Sequence, residues 1–89
     1  MALGFPNPSR SYDADRHRVR FWGYDSSMEI SFFIEEAALF ALYPRTQNAE
    51  DGILSAFDTA RDRIMEVAAR VYSASRGRQP AYALAASDF

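Results

Sequence analysis

With 89 residues, 48% of them hydrophobic and 15% aromatic, the chain suits one domain with its own core, which excludes disorder. It has no cysteine and a single histidine, which rules out disulfides, thiolate chemistry and a metal site built on two imidazoles. Ten basic residues, all arginine, against twelve acidic ones give a formal net charge of −2, a poor balance for a protein built mainly to neutralise phosphates.

Residues 1–15 read as an extended arm with turns. Pro6 and Pro8 flank Asn7, Ser9 and Ser11 follow, and Phe5 is the bulky apolar side chain available to anchor the arm. The first residues have neither the basic start nor the apolar stretch of a signal peptide. No apolar run approaches the roughly 20 residues of a membrane helix, so no membrane association and a cytoplasmic location are expected.

Two strands follow, at 18–24 and 28–34, joined by a turn through Asp25, Ser26 and Ser27. Val19 and Phe21 alternate with Arg18, Arg20, Trp22 and Tyr24. Ile30, Phe32 and Ile34 alternate with Glu29, Ser31 and Phe33. An even-length loop keeps the first set of each strand on one face, so the core itself sets the register.

Residues 35–44 form a short helix, opened by Glu35 and Glu36 and closed by Pro44. From Asn48 to Arg76, Ile53, Phe57, Ala60, Ile64, Val67, Ala68 and Val71 recur at spacings of three and four, the stripe of one long helix. Asn48 is placed to cap it and Gly77 to end it in a left-handed residue. Asp58, Arg61, Asp62, Glu66 and Arg70 form its solvated face, with Glu66 and Arg70 spaced to pair. Tyr82 and Leu84 alternate with Ala81 and Ala83 in a last strand.

These elements make a single α+β domain over residues 1–89, in the order β-β-α-α-β. It is a small antiparallel sheet with one short and one long helix packed on one face. Connection rules favour strand 18–24 at the centre, paired on one side with strand 28–34 and on the other with the last strand. Phe21, Ile30, Phe32, Phe57, Ile64 and Val71 are expected to share the core.

No residue constellation suggests catalysis. His17 stands between Arg16 and Arg18 with no evident orienting carboxylate or oxyanion hole. Glu35 and Glu36 point to different sides of their element and make a poor acid and base pair. The glycines at 4, 23, 52 and 77 are isolated, so no loop wraps a phosphate. Neither a catalytic residue, a cofactor nor a metal site is expected, and the chain reads as something other than an enzyme.

The second sheet face is the feature to explain. Arg18, Arg20, Trp22, Tyr24 and Phe33 together form a candidate interaction face. Trp22 and Phe33 need a cover, supplied by the Phe5 arm, by a second copy of the chain in a homodimer, or by another protein. Interleaved arginines and rings also bind single-stranded nucleic acid. That is the runner-up, disfavoured by Glu29 on the same face and by the net charge.

Taken in order, Phe5-Pro6, Ser11-Tyr12-Asp13, "HRVRFWGYD", "MEISFFIEEAAL", "AFDTARDRIMEVAARVY" and "YALAASDF" resemble small bacterial proteins of the family called domain of unknown function 1488. The resemblance implies a single α+β domain from a bacterial cytosol and supplies no activity, cofactor or site residue. The functional expectation is therefore a non-catalytic protein-interaction or regulatory module, with a homodimer partner or another protein on the outer face.

Overall fold

The sheet is built around Arg18–Asp25, the strand β3, because both of its edges are paired in the computed structural model, which describes residues 3–6, 10–75 and 79–89. On one edge lies β4, Met28–Glu35, antiparallel over the full length from Arg18↔Glu35 to Asp25↔Met28. The two are joined by a two-residue turn whose first residue, Ser26, takes the left-handed region at φ 59°. This turn keeps Val19 and Phe21 on the same face as Ile30, Phe32 and Ile34, as the alternation requires. All five are buried.

The arm takes the other edge. Strand β1, Leu3–Gly4, pairs with Asp25 and Tyr24, and β2, Arg10–Asp13, pairs with Phe21 through Arg18. This register sends Phe5 to the core side. Its ring lies 6.1 Å from that of Phe21 and 5.7 Å from that of Phe32. The space is left by Gly23, where an added Cβ would come within 2.7 Å of the Phe5 ring. The arm is therefore an edge and a piece of the core, and not a cover for the outer face. Pro8 and its neighbours at 7 and 9 lie outside the described residues.

With that edge filled, the last strand pairs elsewhere. Strand β5, Tyr82–Leu84, runs parallel to β4 in the register Phe32↔Tyr82 to Ile34↔Leu84. The expected order, with the last strand beside β3, is thereby corrected: β3 is still central, and the arm holds the position assigned to β5. The sheet is mixed, mostly antiparallel, with five strands.

Helix α1, Glu36–Leu42, continues directly from β4. The long helix expected from 48 to 76 is two: α2, Glu50–Thr59, and α3, Arg61–Ala74. Ala60 between them has φ −92° and ψ 7°, and it is buried. The Thr59 hydroxyl donates to the Ser55 carbonyl, a side-chain bond that competes with the backbone ladder and bends helices. The apolar stripe carries across the bend, so periodicity alone gives no sign of it.

Asn48 does not cap α2. Ala49 occupies the cap position without a side-chain bond, and its own N–H donates to the Gln47 carbonyl at 2.9 Å. The loop presses onto Gly52, where an added Cβ would come within 2.5 Å of the Gln47 oxygen. Gly77, expected to end the helix, lies outside the described residues. Arg70 donates to the Asp88 carbonyl at 2.8 Å, which ties α3 to the C-terminal turn.

The helices pack on the Val19–Phe21 side of the sheet. Phe57 sits 5.3 Å from Phe21, which stacks in turn on Phe32 at 5.3 Å. Five of the six expected core residues are buried, and Val71 is half-buried against the same cluster. Phe57 is fully enclosed at the centre of these rings, so Phe57→Ala is expected to destabilise the fold by about 3–5 kcal/mol. Chemical denaturation checks this; an unchanged midpoint would contradict the placement of α2.

Candidate functional site

Strand alternation puts Arg18, Arg20, Trp22 and Tyr24 of β3 beside Glu35, Phe33, Ser31 and Glu29 of β4 on the face away from the helices. From β2, Ser11 and Asp13 join them opposite Arg20 and Arg18, and from β5 comes Ala83 opposite Phe33. All five residues expected on the interaction face are thus brought together.

The rings of Trp22, Tyr24 and Phe33 are half-buried, and arginines lie over two of them. The Arg18 guanidinium carbon is 3.5 Å from the centre of the Phe33 ring, and that of Arg20 is 4.9 Å from the centre of Trp22. Such stacks contribute about 0.5–1 kcal/mol each at exposed sites. Arg18 also reaches Asp13 at 3.3 Å. Arg20 donates to the Ser31 hydroxyl at 3.4 Å, and Tyr24 donates to Glu29 at 3.3 Å. The face is a lattice of guanidinium planes and rings with carboxylates at its margins.

A second cluster forms where the arm meets α1. The Glu36 carboxylate is largely buried and accepts a short hydrogen bond from the Tyr12 hydroxyl. His17 Nδ1 lies 3.4 Å from the same oxygen, and the Glu36 N–H donates to the His17 carbonyl at 3.0 Å. His17 therefore does have a carboxylate beside it, contrary to the sequence expectation. A turn at Ala14–Arg16 and a left-handed His17, φ 53°, curl the chain back onto α1. Spacing gives no hint of this, because Tyr12 and Glu36 are 24 residues apart. The imidazole is 76% exposed, in no enclosed cavity, and the bonds serve to tie β2 and β3 to the start of α1.

The arm is tied a second time by Arg10, which grips Asp58 of α2 through two bonds of 2.8 Å. That hydrogen bonding holds the Asp58 carboxyl below its usual range. Elsewhere, an open cleft of about 420 Å³ lies between the α1–α2 loop and α2, lined by Tyr43, Arg45, Gln47, Asp51, Ser55 and Thr59. Its Thr59 hydroxyl is committed to backbone, as is that of the neighbouring Thr46. Among the described residues no group of three His, Asp or Glu side chains is placed to hold a metal ion, and no helix is long and apolar enough to cross a membrane.

Residues 3–84 match the family model described as "Protein of unknown function (DUF1488)". The crystal structure of a protein of unknown function from the DUF1488 family of Shewanella loihica PV-4 superposes with a TM-score of 0.81. It is 20% identical, and the match covers 93% of this chain and 91% of that one, a likeness of fold. No curated protein matches the chain.

The arm's attachment gives a pH prediction. The hydrogen bond to Glu36 comes first, followed by desolvation and the charges of Glu36, Glu50 and Asp13, and together they push the Tyr12 phenol from 10.0 up to about 12. A raised value means that the stability from this bond is complete below pH 10 and is lost as pH rises through about 12. Tyrosinate absorbance of the folded chain should show a late-ionising phenol that is absent in Tyr12→Phe. The parent's stability advantage over that variant should fade across the same interval. A titration curve that Tyr12→Phe leaves unchanged apart from amplitude would contradict the Tyr12–Glu36 bond.

Proposed function

The chain belongs to the DUF1488 family, a membership that brings a fold and no activity, and we propose that it is a non-catalytic, cytoplasmic protein-interaction module that binds through the outer face of its sheet. The observation that supports this reading is the pair of guanidinium–ring stacks, Arg18 on Phe33 and Arg20 on Trp22. Arginine and aromatic side chains are the types that dominate binding energy at protein interfaces. Here they are set on a rigid two-stranded platform, so little ordering is left for the moment of binding.

The charge pattern favours a protein partner over a nucleic acid. Arg18 and Arg20 share the face with Asp13, Glu29 and Glu35, and a phosphate chain laid along β3 would pass these carboxylates. Single-stranded nucleic acid is the second reading, supported by the Arg20–Trp22 stack alone, since base stacking on such rings contributes roughly 1–3 kcal/mol per base.

Capture from a lysate of the native host separates the two. The immobilised parent chain should retain a defined protein in stoichiometric amount, and Trp22→Ser/Phe33→Ser should retain none. Salt-sensitive binding of single-stranded RNA or DNA, lost in the same variant, would contradict the protein reading and support the second one.

A further inference from the structure

We propose that the partner on the outer face is a second copy of the same chain, docked sheet to sheet about a two-fold axis that crosses the strands at Trp22. This inference rests on the reading of the outer face as a protein-binding surface and adds the identity of the partner.

The argument is one of charge placement. Among the described residues, no carboxylate pairs with Arg20: its guanidinium rests on Trp22 and reaches only the Ser31 hydroxyl. No cation pairs with Glu29, which takes a single bond of 3.3 Å from Tyr24. Arg18, by contrast, already has Asp13. Among the described residues, Arg20 is thus the arginine of the face without a carboxylate, while Glu29, and Glu35 on the end rung, are its carboxylates without a cation.

Their positions are related through Trp22. Arg20 stands on the rung Arg20↔Phe33 and Glu29 on the rung Tyr24↔Glu29, with Trp22↔Ser31 midway. The outer rungs are separated by four residues, about 13 Å along the strands. An axis lying between two stacked faces and running across the strands at the Trp22 rung exchanges these outer rungs. Each Arg20 then lies over the partner copy's Tyr24–Glu29 rung, and two such pairs form, as an isologous interface demands. An axis running along the strands would place each rung over itself, Arg20 level with Arg20 and Glu29 level with Glu29. Arg20 would then stand about 13 Å along the strands from the partner copy's Glu29 and level with its Arg20, so the charge pattern selects the first arrangement.

The remaining side chains fit that choice. The two Trp22 rings meet at the axis, each beside the small Ser31, and stacked sheets lie about 10 Å apart. Glu35 falls on the rung that lands over the partner copy's Ser26–Ser27 turn, at the rim where its charge stays in water. Trp22 is the one tryptophan of the chain, so it reports directly on the centre of the interface.

Sedimentation across a dilution series, with Trp22 emission recorded on the same samples, tests the proposal. The parent should associate as concentration rises, with Trp22 emission moving to shorter wavelength in step. Arg20→Glu and Glu29→Arg should each weaken self-association by roughly tenfold or more, because each juxtaposes like charges twice. Arg20→Glu/Glu29→Arg on one chain should restore it. An equimolar mixture of the two single variants should also associate, which shows that neither is misfolded. A parent that is monomeric throughout overturns the proposal even where it captures a different protein by this face, an outcome that leaves the broader reading standing. Self-association indifferent to the charge exchanges overturns it as well.

Discussion

Strand β3 is paired along both edges, and that one constraint orders the rest of the molecule. A strand fixed on both sides cannot slip by one residue without turning Val19 and Phe21 into water and bringing Arg18, Arg20 and Trp22 against the helices. Burial of Phe21 between Phe32 and Phe57 therefore fixes the outer face at the same time. The guanidinium–ring stacks on that face follow from the register that closes the core.

The arm makes the second edge possible. Strand β1 is two residues long and β2 four, too short to hold a position by backbone bonds alone. Side chains supply what is missing. Phe5 fills the niche over Gly23, Tyr12 bonds the buried Glu36, and Arg10 clamps Asp58. Each of these reaches a different element, so the arm joins β3, α1 and α2. With β3 closed by the arm, β5 must take β4, and the path from β4 through three helices to β5 becomes a parallel crossover.

Much of this was legible in the sequence. Alternation over eight-residue strands located β3 and β4 and sorted their side chains into two faces, and a stripe at spacings of three and four located the helical half. The five residues of the outer face came together as the pattern required. What escaped the sequence depended on contacts between distant residues. The arm strands are too short to show alternation, so Phe5 gave no sign of which face it would join. The α2–α3 bend leaves the apolar stripe intact, because buried Ala60 and Ile64 continue the spacing of Ile53 and Phe57 across it. Strand order departs from the connection rules because the competitor for the β3 edge is the arm itself. His17 and Glu36 meet through a left-handed backbone residue that the triplet Arg16-His17-Arg18 does not announce.

The outer face is consequently a built surface, since both of its large rings are shielded by arginines of its own sheet and its charges nearly balance. Nuclear Overhauser contacts in the isotope-labelled chain test this division most directly. The account predicts contacts from the Phe5 ring to those of Phe21 and Phe32, and from the Arg18 side chain to the Phe33 ring. Contacts from Phe5 to Trp22 or Phe33 would put the arm on the outer face and contradict the account at its root.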